Sequence, residues 1–326
     1  MQSEVRKKLL DALSVHKDTF LSGQYLAEQI GCSRAAIWKH IEELRKEGFE
    51  LEAVRRKGYR IIKTPRALTA DEIRLHLHTN FIGQHLHDKD SVTSTQHIAK
   101  QLAWNGAEDG TVVIAEEQTA GRGRLARSWY SPKYTGIWMS IILRPNIPLI
   151  DAPQLTLLTA VAVAQAIGEV TNLSPEIKWP NDLLINGKKV TGILTELQAE
   201  ADCVDAIIVG IGINVNQKPE DFSEDLRKTA TSLAIEEGRQ LSRAELVRQI
   251  FQYMENLYLL YLQKGFYPIK LLWESYAGSI GKKIVARTVN GSIAGQAIGI
   301  NEKGVLMLQD ENDQIHFIYS ADVNLQ

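Results

Sequence analysis

The chain has 326 residues, 44% of them hydrophobic and 23% charged, with 37 Lys and Arg against 39 Asp and Glu. That length exceeds one ordinary domain and points to two or three, each able to bury a core. A formal net charge of −2 argues against a strongly basic nucleic-acid binder, but only until the charge is counted by region. Residues 1–66 hold 14 Lys/Arg and 9 Asp/Glu, a net of +5, whereas residues 67–326 hold 23 and 30, a net of −7. A basic head on an acidic body is the asymmetry expected when one part meets a polyanion and the other does not.

Two cysteines, Cys32 and Cys203, cannot build a disulfide framework for a chain this long, which fits a reducing compartment. The first residues carry Glu4 and Asp11 in an amphipathic pattern, without an apolar signal core. The longest apolar stretches, near Leu155–Gly168 and Ala206–Val215, are too short to span a bilayer. The expectation is a soluble, cytoplasmic protein with no membrane partner.

In chain order, the head reads as three short helices and a β-hairpin. Val5, Leu9, Leu10 and Leu13 recur at helical spacing. Ser22 caps a helix carrying Leu26 and Ile30 that stops at Gly31; Ser33 caps a third with Ile37, Ile41 and Leu44 on one face, ended by Gly48. Phe49–Val54, a basic turn Arg55-Arg56-Lys57-Gly58 and Tyr59–Ile62 then read as strand, turn, strand. This is a winged helix-turn-helix. Ser33, Arg34, Trp38 and Lys39 sit where a recognition helix presents its first turns to the major groove. Arg55, Arg56 and Lys57 at the wing tip are positioned to meet phosphates. A winged helix used for protein contacts is the alternative; the basic wing and the regional +5 favour DNA.

Thr64-Pro65-Arg66 reads as a linker, and Thr69-Ala70-Asp71-Glu72 opens a new helix. Up to about residue 272, strand-like runs (Thr111–Ile114, Ile137–Leu143, Glu176–Trp179, Lys189–Leu197, Asp205–Val215) alternate with helices (Thr95–Trp104, Gln154–Val170, Ser242–Leu262). That pattern is a mixed α/β domain around one sheet. From about Ile280 short strands and turns, including an Asn290-Gly291 hairpin signal, fit a small β-barrel. The expected domains are 1–66, 67–272 and 273–326.

The most informative segment is Gln118-Thr119-Ala120-Gly121-Arg122-Gly123-Arg124-Leu125-Ala126-Arg127-Ser128-Trp129. Its glycines permit unusual backbone angles and close approach to a ligand. Three arginines within six residues repel one another unless an anion sits among them. No Gly-Lys-[Ser/Thr] follows, so the segment is no P-loop. For Gly-Arg-Gly-Arg alone, a solvated basic loop is the simpler reading. It is not alone. Lys178-Trp179-Pro180-Asn181-Asp182 puts a cation, an amide and a carboxylate on a turn at a strand end, although Trp179 and Pro180 could simply pack that turn. Lys188-Lys189-Val190-Thr191-Gly192-Ile193-Leu194 follows after a short hairpin. Gly210-Ile211-Gly212-Ile213-Asn214-Val215-Asn216 lacks the third glycine of a dinucleotide fingerprint.

Together these motifs resemble the biotin protein ligases, and specifically the bifunctional kind that also represses biotin operons. The matching residues are Ser94-Thr95, Gln118, Gly121–Arg124, Lys178–Asp182, Lys189 with Gly192-Ile193-Leu194, and Gly210–Asn216. The resemblance runs the whole chain, and single-function ligases lack the head. It implies a multidomain α/β protein with an N-terminal winged helix-turn-helix, a central mixed ligase domain like the class II synthetases and a C-terminal SH3-like β-barrel. It implies ATP-dependent conversion of biotin to biotinyl-5′-AMP, with Mg²⁺ on the triphosphate, then transfer to a lysine of a biotin carboxyl carrier acceptor. It also implies operator binding by a ligand-promoted homodimer. Ser94, Thr95, Gln96, Gln118, Arg122, Gly123, Arg124, Lys189 and Gly192 are the implied biotin residues, and Lys178, Asn181, Asn214 and Arg124 the implied nucleotide residues. Lys189, Arg122 and Arg124 would offset charge in the reaction. Asp182 would orient or deprotonate the acceptor amine, or instead bind metal or brace its turn. Two positions depart from the family: Ala126 where glycine is common, and Gln96 where asparagine often stands. The rivals are a regulator that only senses a ligand and another acyl-adenylate ligase, such as a lipoate ligase.

Overall fold

A computed structural model describes residues 2–16, 19–46, 49–63, 67–200, 203–288 and 291–325. Gly48 as a helix stop, Thr64-Pro65-Arg66 as a linker and Asn290 of the hairpin signal lie outside the described residues, as does the side chain of Lys46. The chain divides into two compact units, Met1–His78 and Thr79–Gln326.

The first unit contains α1 (Gln2–Val15), α2 (Gly23–Ile30), α3 (Arg34–Lys46), β1 (Glu50–Val54), β2 (Gly58–Lys63) and α4 (Ala70–Arg74). The capping signals act as read. Ser22 Oγ accepts from Tyr25 N at 3.1 Å, Ser33 Oγ accepts from Ala36 N at 3.1 Å, and Gly31 takes the left-handed conformation at φ 77°. Leu9, Leu10, Leu13, Leu26, Ile30, Ile37, Ile41 and Leu44 close a single core with Phe49, Leu51 and Ile61. This unit runs past the Thr64-Pro65-Arg66 segment because α4 belongs to it. Leu75 joins the same core, and Asp71 of α4 pairs with Arg6 of α1 at 2.6 Å.

The second unit is built on a seven-stranded sheet of order β3-β4-β5-β9-β8-β7-β6. Its strands are β3 (Leu86–Val92), β4 (Val112–Gln118), β5 (Gly136–Leu143), β6 (Glu176–Lys178), β7 (Asp182–Ile185), β8 (Lys188–Glu200) and β9 (Cys203–Asn214). Only β3 and β4 are parallel; the other neighbours are antiparallel. Helix α5 (Thr95–Trp104) packs Ala99 and Ala103 on Val113, Ile142, Ala206 and Ile208 of the sheet. Helices α6 (Pro153–Val170), α7 (Glu224–Thr229), α8 (Leu233–Glu237), α9 (Arg243–Lys264) and α10 (Tyr267–Tyr276) complete the layer set, with α6 against α9, α10 and β8.

One expectation needs correction. Helix α6 with its leading turn, Leu149–Val170, is long and apolar enough to cross a membrane, whereas its apolar stretch reads as too short. The leading turn adds the missing length. Within this unit 72% of its most apolar window is buried, so its apolar surface is that of a central core helix.

Where a small barrel was expected, β10 (Lys283–Thr288), β11 (Gly291–Ile300), β12 (Leu306–Gln309), β13 (Ile315–Ile318) and β14 (Asp322–Leu325) form an antiparallel sheet of order β13-β12-β11-β10-β14. Trp179, 3% exposed, donates its indole N–H to the Gly304 carbonyl at 3.2 Å, fastening this sheet to the turn after β6.

In the wing, Leu21 pairs with Tyr59 through two backbone hydrogen bonds, of 3.0 and 2.9 Å. Gly58 makes that approach possible. Its φ is +117°, and a Cβ there would lie 1.9 Å from the Leu21 carbonyl oxygen. Gly58→Ala is expected to destabilise the first unit by about 1–3 kcal/mol through strain at that angle. Calorimetry of the full chain should show the transition of this unit moving down while that of the second unit holds.

Candidate active site and nucleic-acid interface

A cleft of about 640 Å³ opens in the second unit. Strand alternation explains its place. Trp138, Ser140 and Ile142 of β5 lie opposite Gly212, Gly210 and Ile208 of β9, and Gly192 and Leu194 of β8 lie opposite Gly212 and Gly210. Paired residues share a face of the sheet. Helix α5 covers this face at Ile142 and Ile208, then stops at its N-terminus, Thr95. Beyond that point Gly192, Gly210 and Gly212 leave the sheet bare. The two glycines of Gly210-Ile211-Gly212 therefore serve a strand face and not a phosphate turn.

Two side chains occupy the room these glycines leave. The Trp129 indole lies over Gly192 and Gly212, where a Cβ would come within 2.8 and 2.5 Å of it. A Cβ on Gly210 would lie 2.7 Å from Gln96 Oε1. Trp129 packs edge-on to Trp138 with centroids 6.5 Å apart, and its buried indole N–H has no hydrogen-bond partner.

A row of polar groups crosses the inner end of the cleft. Gln118 Oε1 accepts from Thr95 N at 2.9 Å and from Thr95 Oγ1 at 3.1 Å. Thr95 Oγ1 lies 2.8 Å from Ser140 Oγ, which donates to Gln96 Oε1 at 2.9 Å. Gln96 Nε2 donates to the Ile208 carbonyl at 2.9 Å. Thr95, Gln96 and Ser140 are buried, Gln118 is half-buried, and the row is hydrogen-bonded to the backbone, so its members are held in fixed orientations. Ser94 stands at the N-cap of α5, but its hydroxyl makes no cap hydrogen bond to the helix.

The outer end is cationic. Lys189 Nζ sits 2.7 Å from Asp182 Oδ1 and 5.2 Å from the centroid of the Trp129 ring. Arg124 donates from Nη1 to Asn181 Oδ1 at 3.0 Å and from Nη2 to Ser320 Oγ at 2.8 Å. Asn181 donates in turn to the Ile193 carbonyl at 3.0 Å. Burial lowers the pKa of Arg124, with Asp182 and Asp322 opposing that shift. Among the described residues no group of three or more His, Cys, Asp or Glu side chains could hold a metal ion.

Ser94, Thr95, Gln96, Gln118, Arg122, Gly123, Arg124, Lys178, Asn181, Asp182, Lys189, Gly192 and Asn214 all line this one cleft. Sequence reasoning misses Ser140, which links Thr95 to Gln96, and Asp322, which lines the cleft from β14. It also assigns no role to the segment after Asn216. In the structure Phe222, Leu226, Lys228, Thr229 and Ala230 form a wall of the cleft, held by Thr231 N donating to the Lys189 carbonyl at 3.0 Å. Asn214 Nδ2 donates to the Thr231 carbonyl at 3.0 Å, tying β9 to the same wall. Ala126 has φ 57° and Leu125 φ 54°, left-handed angles that an L residue adopts at a penalty. Glycine at position 126 would remove half of that strain.

In the first unit Ser33, which caps α3, and Arg34, Trp38 and Lys39 on α3 are all exposed, Trp38 to 59%. Arg55, Arg56 and Lys57 are exposed at the wing tip. Arg60 is held between Glu52, at 2.6 Å, and the Phe20 ring, 4.7 Å from its centroid. These side chains give the first unit an exposed face that is both cationic and aromatic.

The chain matches three family models in the expected order. An HTH domain matches residues 5–60, the biotin/lipoate A/B protein ligase family 89–214, and the biotin protein ligase C-terminal domain 279–325. It is 54% identical over 325 residues to the bifunctional ligase/repressor BirA of Bacillus subtilis, covering 100% of both chains. It is 30% identical over 292 residues to the protein of the same name from Escherichia coli K12, covering 90% of this chain and 89% of that one. The structure of a biotin protein ligase from Aquifex aeolicus in complex with biotin and ATP superposes with a TM-score of 0.65 at 32% identity, over 74% of this chain and 99% of that one. Full-length similarity, a head that the ligase fold itself does not need, and a cationic cleft beside a fixed polar row lead to one conclusion: the chain belongs to the bifunctional ligase/repressor branch of the biotin protein ligases.

Proposed function

We propose that this chain joins biotin to AMP at the expense of ATP, transfers the biotinyl group to a lysine of a biotin carboxyl carrier domain, and represses transcription when it holds the adenylate. One observation carries the chemistry: a fixed row of hydrogen-bonding groups and a cluster of cations line one cleft. Thr95, Gln96 and Gln118 of the row, with Ser94 beside them at the N-cap of α5, suit the ureido ring. The Trp129 indole, lying over Gly192 and Gly212, offers an apolar surface that suits the apolar ring and chain. Gly123 and its neighbours in the loop close over the ligand.

In the first step a biotin carboxylate oxygen attacks the α-phosphorus of ATP. The bond to the β-phosphate oxygen breaks, and pyrophosphate leaves with its electron pair. Two anions must approach, so Arg122, Arg124 and Lys189 offset the repulsion, while Lys178, Asn181 and Asn214 hold the nucleotide. Mg²⁺ enters as part of the ATP complex and supplies further charge neutralisation. In the second step the acceptor amine attacks the carbonyl carbon, the bond to the phosphate oxygen breaks, and AMP leaves. A lysine amine with an ordinary pKa near ~10.4 must lose a proton first. Asp182 Oδ1 lies 2.7 Å from Lys189 Nζ. Once a substrate oxygen draws Lys189 away, the carboxylate is released to orient or deprotonate the amine. A metal-binding or turn-bracing role for Asp182 is the competing assignment.

Operator recognition falls to Ser33, Arg34, Trp38 and Lys39 in the groove, with Arg55, Arg56 and Lys57 on phosphates. A homodimer that forms on the adenylate would match a palindromic site. The same reading assigns the protein to the cytoplasm, where ATP and chromosomal DNA are found.

Charged hydrogen bonds are worth about 1.5–3 kcal/mol each. Lys189→Ala should therefore slow pyrophosphate release from biotin and ATP by ~10²-fold or more. If the parent releases none, the protein is a sensor, and if it activates lipoate in preference to biotin the substrate is wrong.

Arg34→Ala should abolish operator binding in a mobility-shift assay and leave ligation intact. Neutralising the wing should also flatten the salt dependence, by about 0.9 in the log–log slope for each phosphate that the wing no longer neutralises. Equal loss of ligation in these variants would refute the division of labour.

A further inference from the structure

Glu116 and Arg243 are charged and buried, and they take no part in either reaction step. Their side chains are 4% and 6% exposed and meet as a fork. Arg243 Nη1 donates to Glu116 Oε2 at 3.0 Å and Nη2 donates to Oε1 at 3.1 Å. Stability alone does not account for the pair, because a buried ion pair seldom outperforms apolar side chains of the same volume. Nor does Arg243 suit its helix: it is the first residue of α9, where the macrodipole disfavours a cation.

What the pair holds is an irregular turn. The β4–β5 ladder ends with Ala115 opposite Trp138, and the two chains next pair as Gln118 with Ser131. Three steps along β4 therefore span the same gap as seven along the other chain. Backbone groups in that excess have no place in the ladder and need partners of another kind. Tyr134 N donates to Glu116 Oε2 at 3.0 Å, and Arg243 Nη1 donates to the Gly136 carbonyl at 2.9 Å. Tyr134 is itself in the left-handed region, at φ 65°, so the turn is strained where the carboxylate fastens it.

Ser131 stands at the far end of this turn. Its hydroxyl donates to the Trp129 carbonyl at 3.1 Å, which leaves it only lone pairs to offer Gln118. It accepts from Gln118 Nε2 at 3.0 Å, so Gln118 Oε1 faces Thr95 and one amide N–H of Gln118 remains for a ligand. Glu116 lies two residues before Gln118 and shares its face of β4. We propose that Arg243 and Glu116 are positioning residues for the ureido end of biotin: they fix the turn 131–136 and, through Ser131, set which way the Gln118 amide faces. This assignment rests on the ligase reading above.

The test is a double-mutant cycle on biotin affinity in the full chain, read by calorimetry and as the biotin KM of pyrophosphate release. Arg243→Lys keeps a charge opposite Glu116 but loses the fork that also reaches Gly136. It should fold with a melting transition near the parent's and bind biotin about tenfold more weakly. Its kcat and its KM for ATP should stay at the parent's values, as expected when only ground-state binding is lost. Ser131→Ala should weaken biotin to a similar degree. The double variant should be no weaker than Ser131→Ala alone, because both changes break the same path. Losses that multiply would overturn the proposal, since the pair would then not act through Ser131. Full biotin affinity in Arg243→Lys would also overturn it, leaving the pair a strut in which only charge matters. If Arg243→Lys does not fold, Glu116→Gln, which keeps the shape of the side chain, takes its place in the cycle. A parent that binds biotin but releases no pyrophosphate sinks the ligase reading and leaves the cycle readable by calorimetry; a parent that binds no biotin sinks both.

Discussion

Repulsion among like charges is the constraint on which the site depends. Arg122, Arg124, Arg127, Lys178 and Lys189 all line one cleft of a region that is otherwise net acidic. Two unit charges ~5 Å apart at an effective dielectric of ~20 repel by on the order of 3 kcal/mol. The structure answers with a separate partner for most of these cations. Asp182 takes Lys189, Asn181 and Ser320 take Arg124, and Asp322 takes Arg127. Each partner is a single carboxylate or a neutral oxygen, weaker than a triphosphate. The lining thus keeps more cations than carboxylates, which is what a site for joining two anions requires.

The second requirement is geometric. A carboxylate must be delivered to the cations at one end while the rest of the molecule is gripped at the other. Helix α5 defines the grip, because Thr95 and Gln96 are its first residues and Ser94 its N-cap. Strands β8 and β9 define the path between the ends, since their paired Gly192 and Gly212 remove side chains from the sheet where α5 no longer covers it. Trp129 then comes from the arginine loop to lie on those glycines. One loop therefore contributes both arginines and an apolar surface, so covering a ligand with it would exclude water from a labile anhydride and bring those charges to it.

Much of this is legible in the residues. Helix faces in the head, its caps at Ser22 and Ser33, and the basic wing follow from local chemistry that tertiary packing does not override. The motifs Gly121–Arg124, Lys178–Asp182 and Lys189 are recognisable because ligand-facing residues crowd into short runs at strand ends. What escapes are relations between distant segments. Ser140 sits in the middle of a fully buried strand and gives no local sign that it bridges Thr95 and Gln96. Asp322 lies 195 residues from Arg127, and nothing around it marks it as part of a ligand site. Strand β3 is exposed along most of its length, so the alternation that reveals a half-buried strand is absent. The apolar pattern of α6 reads short because its leading turn carries Leu149 and Ile150 into solvent, where periodicity no longer reports on packing.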